Sequence, residues 1–153
     1  MSRKPQIDQN FCIGEFRDFF FFRIPGNRSD FARQLGVSDS TVAHWEMGER
    51  FPTAENITRI CRTTKTRADN LLQIPRQFRN TPNITGTTAE KIAQLIYEAG
   101  LTNAEAARVI FKDESITKGT AVRKWILGIP PSFVSIRRIC LTFKVSADWL
   151  LNI

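Results

Sequence analysis

Very little in this chain suits metal, redox or catalytic chemistry. It holds one histidine, His44, and three cysteines among 153 residues. A structural zinc site takes four Cys or His ligands in closely spaced pairs, and that set is missing. Cys61 and Cys140 each follow an isoleucine within an apolar helical pattern. They are expected to be small core residues rather than a disulfide or a metal pair. No glycine-rich phosphate loop and no nucleophile–histidine–carboxylate set is recognisable, so no catalytic residue, metal ligand or cofactor is nominated. Long apolar runs are also missing. The run Phe19-Phe20-Phe21-Phe22 is far too short to span a bilayer, and the polar start, Met1 to Asn10, lacks a signal core. No stretch alternates apolar and polar residues as a half-buried strand does. The expectation is a soluble, all-α protein in a reducing cytoplasm, where the Asn-x-Thr triplets at Asn56 and Asn83 are chance sequons.

What is present is repetition. Residues 57–74, Ile-Thr-Arg-Ile-Cys-Arg-Thr-Thr-Lys-Thr-Arg-Ala-Asp-Asn-Leu-Leu-Gln-Ile, return without a gap at 136–153 as Ile-Arg-Arg-Ile-Cys-Leu-Thr-Phe-Lys-Val-Ser-Ala-Asp-Trp-Leu-Leu-Asn-Ile. More than half of the aligned positions are identical. A tryptophan precedes each copy, Trp45 and Trp125, near the end of a short amphipathic pattern. Repetition identifies the unit of folding. Here the unit is a small helical domain of roughly 70 residues, enough for a helical core, used twice. The boundaries read as a flexible arm over 1–10, a first domain over 11–74, a linker over 75–87 and a second domain over 88–153.

Within the first domain, apolar periodicity predicts a helix over about 11–24 with Phe11, Phe16, Phe19, Phe20 and Ile24 on one broad face. That face is more aromatic than a lone small domain needs. Plain core is one reading; packing against the second domain or a partner chain is the other. Asn27 can cap a helix over 28–35 that Gly36 closes, and Ser38 one over 39–47 that Gly48 closes. Further helices follow at about 53–64 and 66–72. The linker holds Pro75 and Pro82 and few periodic apolars. The plan then restarts with helices over 88–99 and 103–111, one holding Val122, Trp125 and Ile126, and two more begun by Ser132 and Ser146.

The charge is +7 overall and is spread over both halves, which favours a polyanionic partner, nucleic acid first. The stretch 28–52, Arg-Ser-Asp-Phe-Ala-Arg-Gln-Leu-Gly-Val-Ser-Asp-Ser-Thr-Val-Ala-His-Trp-Glu-Met-Gly-Glu-Arg-Phe-Pro, sharpens this. Two short helices meet at a turn holding Gly36. Ala32 allows close approach, and Phe31, Leu35, Val37, Val42 and Trp45 supply the buried seam. The second helix leaves Asp39, Ser40, Thr41, Ala43 and His44 outward. That is a helix-turn-helix pattern, whose second helix fits the major groove of B-DNA.

In Phe31-Ala32, Leu35-Gly36-Val37-Ser38, Thr41-Val42, Trp45-Glu46, Gly48 and Pro52, the chain resembles the phage-repressor and Cro-like (lambda-repressor-like, XRE-type) regulators. The Ala-Asp-x-Leu-Leu endings resemble that family's last helix. The resemblance covers residues 11–74 well and 88–153 more loosely. It implies two tandem lambda-repressor-like five-helix domains, the second divergent, and a regulator of double-stranded DNA, of phage or mobile-element repressor type, in a bacterial or phage-infected cell. It also implies roles. Ser38 caps the recognition helix and touches phosphate; Asp39, Ser40 and His44 face bases, His44 donating to guanine N7 or O6 and Asp39 either accepting from cytosine N4 or only reinforcing the helix N-terminus; Thr41, Arg28 and Arg50 lie along the backbone. Glu46 pairs with an arginine of the first helix, Arg17 or Arg23.

The second domain departs from the pattern. Leu-Gly-Val-Ser gives way to a longer turn, Ile-Phe-Lys-Asp-Glu-Ser-Ile-Thr-Lys-Gly, and Trp125 is followed by Ile126 instead of Glu. The outward face of its third helix still carries Lys118, Thr120, Arg123 and Lys124, residues suited to phosphate neutralisation. Two readings stand: a second DNA-reading helix, making a covalent pseudo-dimer, or a module for dimerisation or for a protein partner. The second reading extends to a helix-turn-helix scaffold that acts as an antirepressor or inhibits a host defence complex. A flexible linker of this length reaches on the order of 20 Å. Half-sites lie ~34 Å apart, a span an extended linker would cover. A homodimer is therefore the default expectation.

Overall fold

The computed structural model describes residues 10–153. The flexible-arm expectation falls, apart from Asn10, outside the described residues. The described chain is all-α. Five helices form the first half: α1 (Ile13–Phe22), α2 (Arg28–Leu35), α3 (Asp39–Glu46), α4 (Ala54–Thr64) and α5 (Ala68–Leu71). Five more form the second: α6 (Thr88–Glu98), α7 (Asn103–Phe111), α8 (Thr120–Ile126), α9 (Phe133–Phe143) and α10 (Ala147–Leu150). No helix among them is long and apolar enough to cross a membrane.

Local chemistry sets most of the ends. The side chains of Asn27, Ser38, Thr53, Thr87, Thr102, Ser132 and Ser146 each accept a hydrogen bond from a backbone N–H of the first helical turn, satisfying a donor that has no intrahelical partner. Thr102 and Glu105 complete a capping box. At the end of α2, Gly36 takes φ 71°, a left-handed conformation that glycine enters without strain. Lys65 and Lys144, at equivalent repeat positions, both turn left-handed (φ 54°) after α4 and α9, and their N–H groups donate to the Cys61 and Cys140 carbonyls.

Each half has its own seam. α3 packs on α1 and α2, α8 on α6 and α7. Phe31, Leu35, Val42 and Trp45 are buried in the first; Ile110, Val122 and Trp125 in the second. Both Cys61 and Cys140 are buried and free. Burial pushes the Cys61 thiol up to about 12 and raises Cys140 as well, so both remain protonated core groups.

The two halves meet closely. Asp69 of α5 is fully buried; its carboxylate accepts from the Ala147 N–H (2.6 Å), the Ser146 hydroxyl (2.6 Å) and the Arg67 guanidinium (2.9 Å). Asp148 of α10, 79 positions on, accepts in return from the Ala68 (2.9 Å) and Asp69 (3.0 Å) N–H groups. Each short helix is thus capped by the aspartate of the other. Arg137, 2% exposed, donates to the carbonyls of Leu72 and Gln73, both at 2.7 Å. Phe133 of α9 stacks on Phe51 (centroids 4.6 Å, planes 11° apart) and meets Phe11 and Phe16 edge-on. The aromatic excess of the first half is therefore both core and cross-half contact.

The connecting segment is held by hydrogen bonds rather than being a free coil. Arg76–Phe78 make a 3-10 turn, and Arg79 donates to the Ile74 carbonyl and the Asn70 side chain. Asn80 donates twice to the Lys144 carbonyl and accepts from the Ser146 N–H, forming an isolated parallel bridge to Val145. Contact, rather than tether length, sets where the halves sit.

Candidate nucleic-acid interface

The ridge begins at Ser38. Its hydroxyl accepts from the Thr41 N–H at 3.1 Å and meets the Thr41 hydroxyl at 2.9 Å, which holds the first turn of α3. Val42 and Trp45 anchor the opposite side, the indole against Phe20 at 5.7 Å. Ser38, Asp39 and Ser40 are exposed, and Thr41 and His44 are half-buried beside them. The Phe-bearing α1 packs on the inward side of α3 and leaves this ridge open.

Several side chains are held in ways the sequence did not reveal. Asp39 accepts from the Ser29 hydroxyl (2.6 Å), which ties the start of α3 to the start of α2. His44 presents Nδ1 to the Glu49 carboxylate at 2.8 Å. A carboxylate only accepts, so Nδ1 carries the proton, and in the neutral ring Nε2 is an acceptor. Such a ring accepts from adenine N6 or cytosine N4, and donates to guanine only when protonated. Glu49 was missed as an orienting residue because its loop position shows no periodicity.

Glu46 does not take its carboxylate partner from the first helix. Its carboxylate pairs with Arg28 at 2.6 Å, while Arg17 donates to the Glu46 backbone carbonyl at 3.2 Å. The hydrogen bond to Glu46 and its charge hold the Arg28 guanidinium above its ordinary value. Arg28 remains half-exposed at the N-terminus of α2, pinned by Glu46. Arg50 is exposed in the loop after α3.

The corresponding surface of the second half is α8. The Ile129 N–H bonds the Lys124 carbonyl (3.0 Å) just as the Glu49 N–H bonds that of His44 (2.9 Å), so Lys124 stands in the place of His44. Counting back, Thr120 stands in the place of Ser40. Thr120, Arg123 and Lys124 are exposed on α8; Lys118 is exposed too but lies in the turn before the helix, not on its face as expected, because Gly119 is the N-cap. The longer turn is ordered by its own bonds: Arg108 donates to the Ile116 carbonyl (3.0 Å), and Ser115 bonds Asp113 through both N–H and hydroxyl. Gly119 lets α8 start hard against α7; a Cβ there would lie 2.4 Å from Asn103 atoms. Thus α8 has no side-chain cap, and a backbone contact replaces the Ser29–Asp39 bond of the first half.

Residues 23–71 match the helix-turn-helix family, a stretch that runs from the end of α1 through α5 and is less than half of the chain. That family is one of DNA-binding regulatory domains and is not typically enzymatic. No curated protein and no solved structure matches the chain.

Proposed function

We propose that the protein is a sequence-specific regulator of double-stranded DNA built from two tandem lambda-repressor-like units, and that it represses by occupying an operator, as phage and mobile-element repressors do. The observation that carries the reading is the open ridge of α3, rigidly capped by Ser38 and backed by Trp45, within the stretch that matches a DNA-binding family. Ser40 and His44 read base edges, with Asp39 bracing the helix start. Ser38, Thr41, Arg28 and Arg50 engage the phosphate backbone. The exposed Lys118, Thr120, Arg123 and Lys124 extend the basic surface.

The test is selection of bound fragments from random duplex DNA, followed by a salt titration of the winner. Operator binding weakens steeply with salt, by about one unit of log–log slope for each phosphate neutralised. A protein-capturing scaffold, such as an antirepressor or an inhibitor of a host defence complex, would select no sequence at any salt.

A further inference from the structure

One recognition helix reads too few base pairs for selective binding, so two readers have to be paired. We infer that a single chain already holds that pair: its halves lock about an approximate two-fold axis between Asp69 and Asp148, and α8 reads a second, chemically different half-site without a second copy of the protein. This rests on the DNA reading of α3.

The axis follows from bonds that exchange with each other. Asp69 caps the N-terminus of α10 and Asp148 that of α5, each through a residue 79 positions from its counterpart. The same exchange relates Arg137 to Thr58 and the pair Leu72-Gln73 to Leu151-Asn152. Arg137 sits on the Leu72 and Gln73 carbonyls. Across the axis, Thr58 faces Leu151 and Asn152 over an open groove of about 420 Å³. One side of the axis is filled by Arg137 and Phe133; the other, with the smaller Thr58 and Ala54, is left open. Gln73 and Asn152 likewise clasp the chain ahead of their own first helices, at Cys12 and at Gly86. An operation that exchanges all these groups carries α3 onto α8. Asp69, Ser146, Ala147 and Arg137 are buried at the junction, and Asn80 pins the connecting segment to the Lys144 carbonyl, so the pair does not swing on a tether.

The two readers differ in chemistry. Where α3 offers His44 with Nδ1 engaged, α8 offers Lys124 beside Arg123. Lysine and arginine only donate, and guanine O6 and N7 are the matching major-groove acceptors. The α8 half-site therefore centres on guanine, and the whole site lacks two-fold symmetry.

Selected DNA is footprinted, and the mass of the complex is measured by sedimentation. The expected result is one chain on an asymmetric site of two half-sites ~34 Å apart. Arg123→Ala with Lys124→Ala changes only exposed side chains. It should remove sequence preference in one half alone and weaken binding by on the order of tenfold or more, while His44→Ala affects the other half. Two chains on a symmetric site, indifferent to the α8 double variant, would overturn the internal pairing and leave α3 as a reader. Absence of any preferred DNA would overturn both.

Discussion

Helices α3 and α8 sit on matching supports but were built by different means. α3 starts from a serine cap and is tied to α2 by the Ser29–Asp39 bond. α8 starts without a side-chain cap, at a glycine pressed against the start of α7. The Leu-Gly-Val-Ser turn around Gly36 lies within the matched stretch 23–71, and a longer turn takes its place in the second half. The lesson is that helix placement here depends on the seam, Val42 and Trp45 against Val122 and Trp125, more than on the turn. The turn chemistry is free to vary once the seam holds the helix.

The comparison breaks most readily where the halves join. Asp69→Ala strips the acceptor from the Ser146 hydroxyl, the Ala147 N–H and Arg67, and should cost about 3 kcal/mol in urea unfolding, since each buried donor left bare costs ~1–3. An unchanged midpoint would mean that the cross-capping does not hold the pair. Acid acts on the same bonds. Burial opposes ionisation of Asp69, but the bonds from Ser146, Arg67 and Ala147 prevail and hold its pKa below the ordinary value. Its contribution is therefore full above the usual carboxylate range and is lost as pH falls through the depressed value. Asp148 is raised by burial, so its own contribution runs the other way: present at low pH and declining as pH rises through its raised value. Stability should fall with acid less steeply in Asp69→Asn than in the native chain, as followed by circular dichroism.

Next in size is the turn contrast. Gly119→Ala drives a Cβ into Asn103 and should cost about 2 kcal/mol, within the usual range for overpacking. Asp39→Ala, at the matching place in the first half, removes one exposed hydrogen bond and should cost under ~1 kcal/mol. Equal costs would deny that the two helix starts are held differently. At the DNA, His44→Ala should relax preference at one or two base positions by about 1–3 kcal/mol. A uniform loss across sequences would remove His44 from the readers. The smallest effect sharpens the axis itself: Thr58→Arg places a guanidinium where the Arg137 pattern predicts carbonyl acceptors at Leu151 and Asn152. It should be neutral or stabilising within ~1 kcal/mol. A clear destabilisation would show that the open side of the axis is not the counterpart of the filled one.

Much of the fold was legible because its signals are local. Asn27, Ser38, Thr102, Ser132 and Ser146 each stand where a helix starts, and a short side chain that satisfies a nearby N–H acts within three residues. Gly36 marked a left-handed stop, and the apolar spacing of Phe16, Phe20, Val42 and Trp45 marked the inward faces. The outward ridge of α3 was legible too: Ser38, Asp39 and Ser40 are exposed and Thr41 and His44 half-buried beside them, with Val42 turned to the core. The partners of that ridge were not. Glu46 found Arg28 instead of an α1 arginine because the crossing of α2 over α3 brings Arg28 within 2.6 Å, a distance no spacing rule encodes.

The amino-acid order alone determined the helices and the outward row on α3, since periodicity and capping are properties of neighbouring residues. Only tertiary structure decided that Asp69 and Asp148 cap each other's helices, that Arg137 is buried on opposing carbonyls, and that the connecting segment is a pinned strap. These contacts join groups 64 to 80 positions apart, and which of many polar residues meet at such separations depends on how two apolar faces close, not on any local preference.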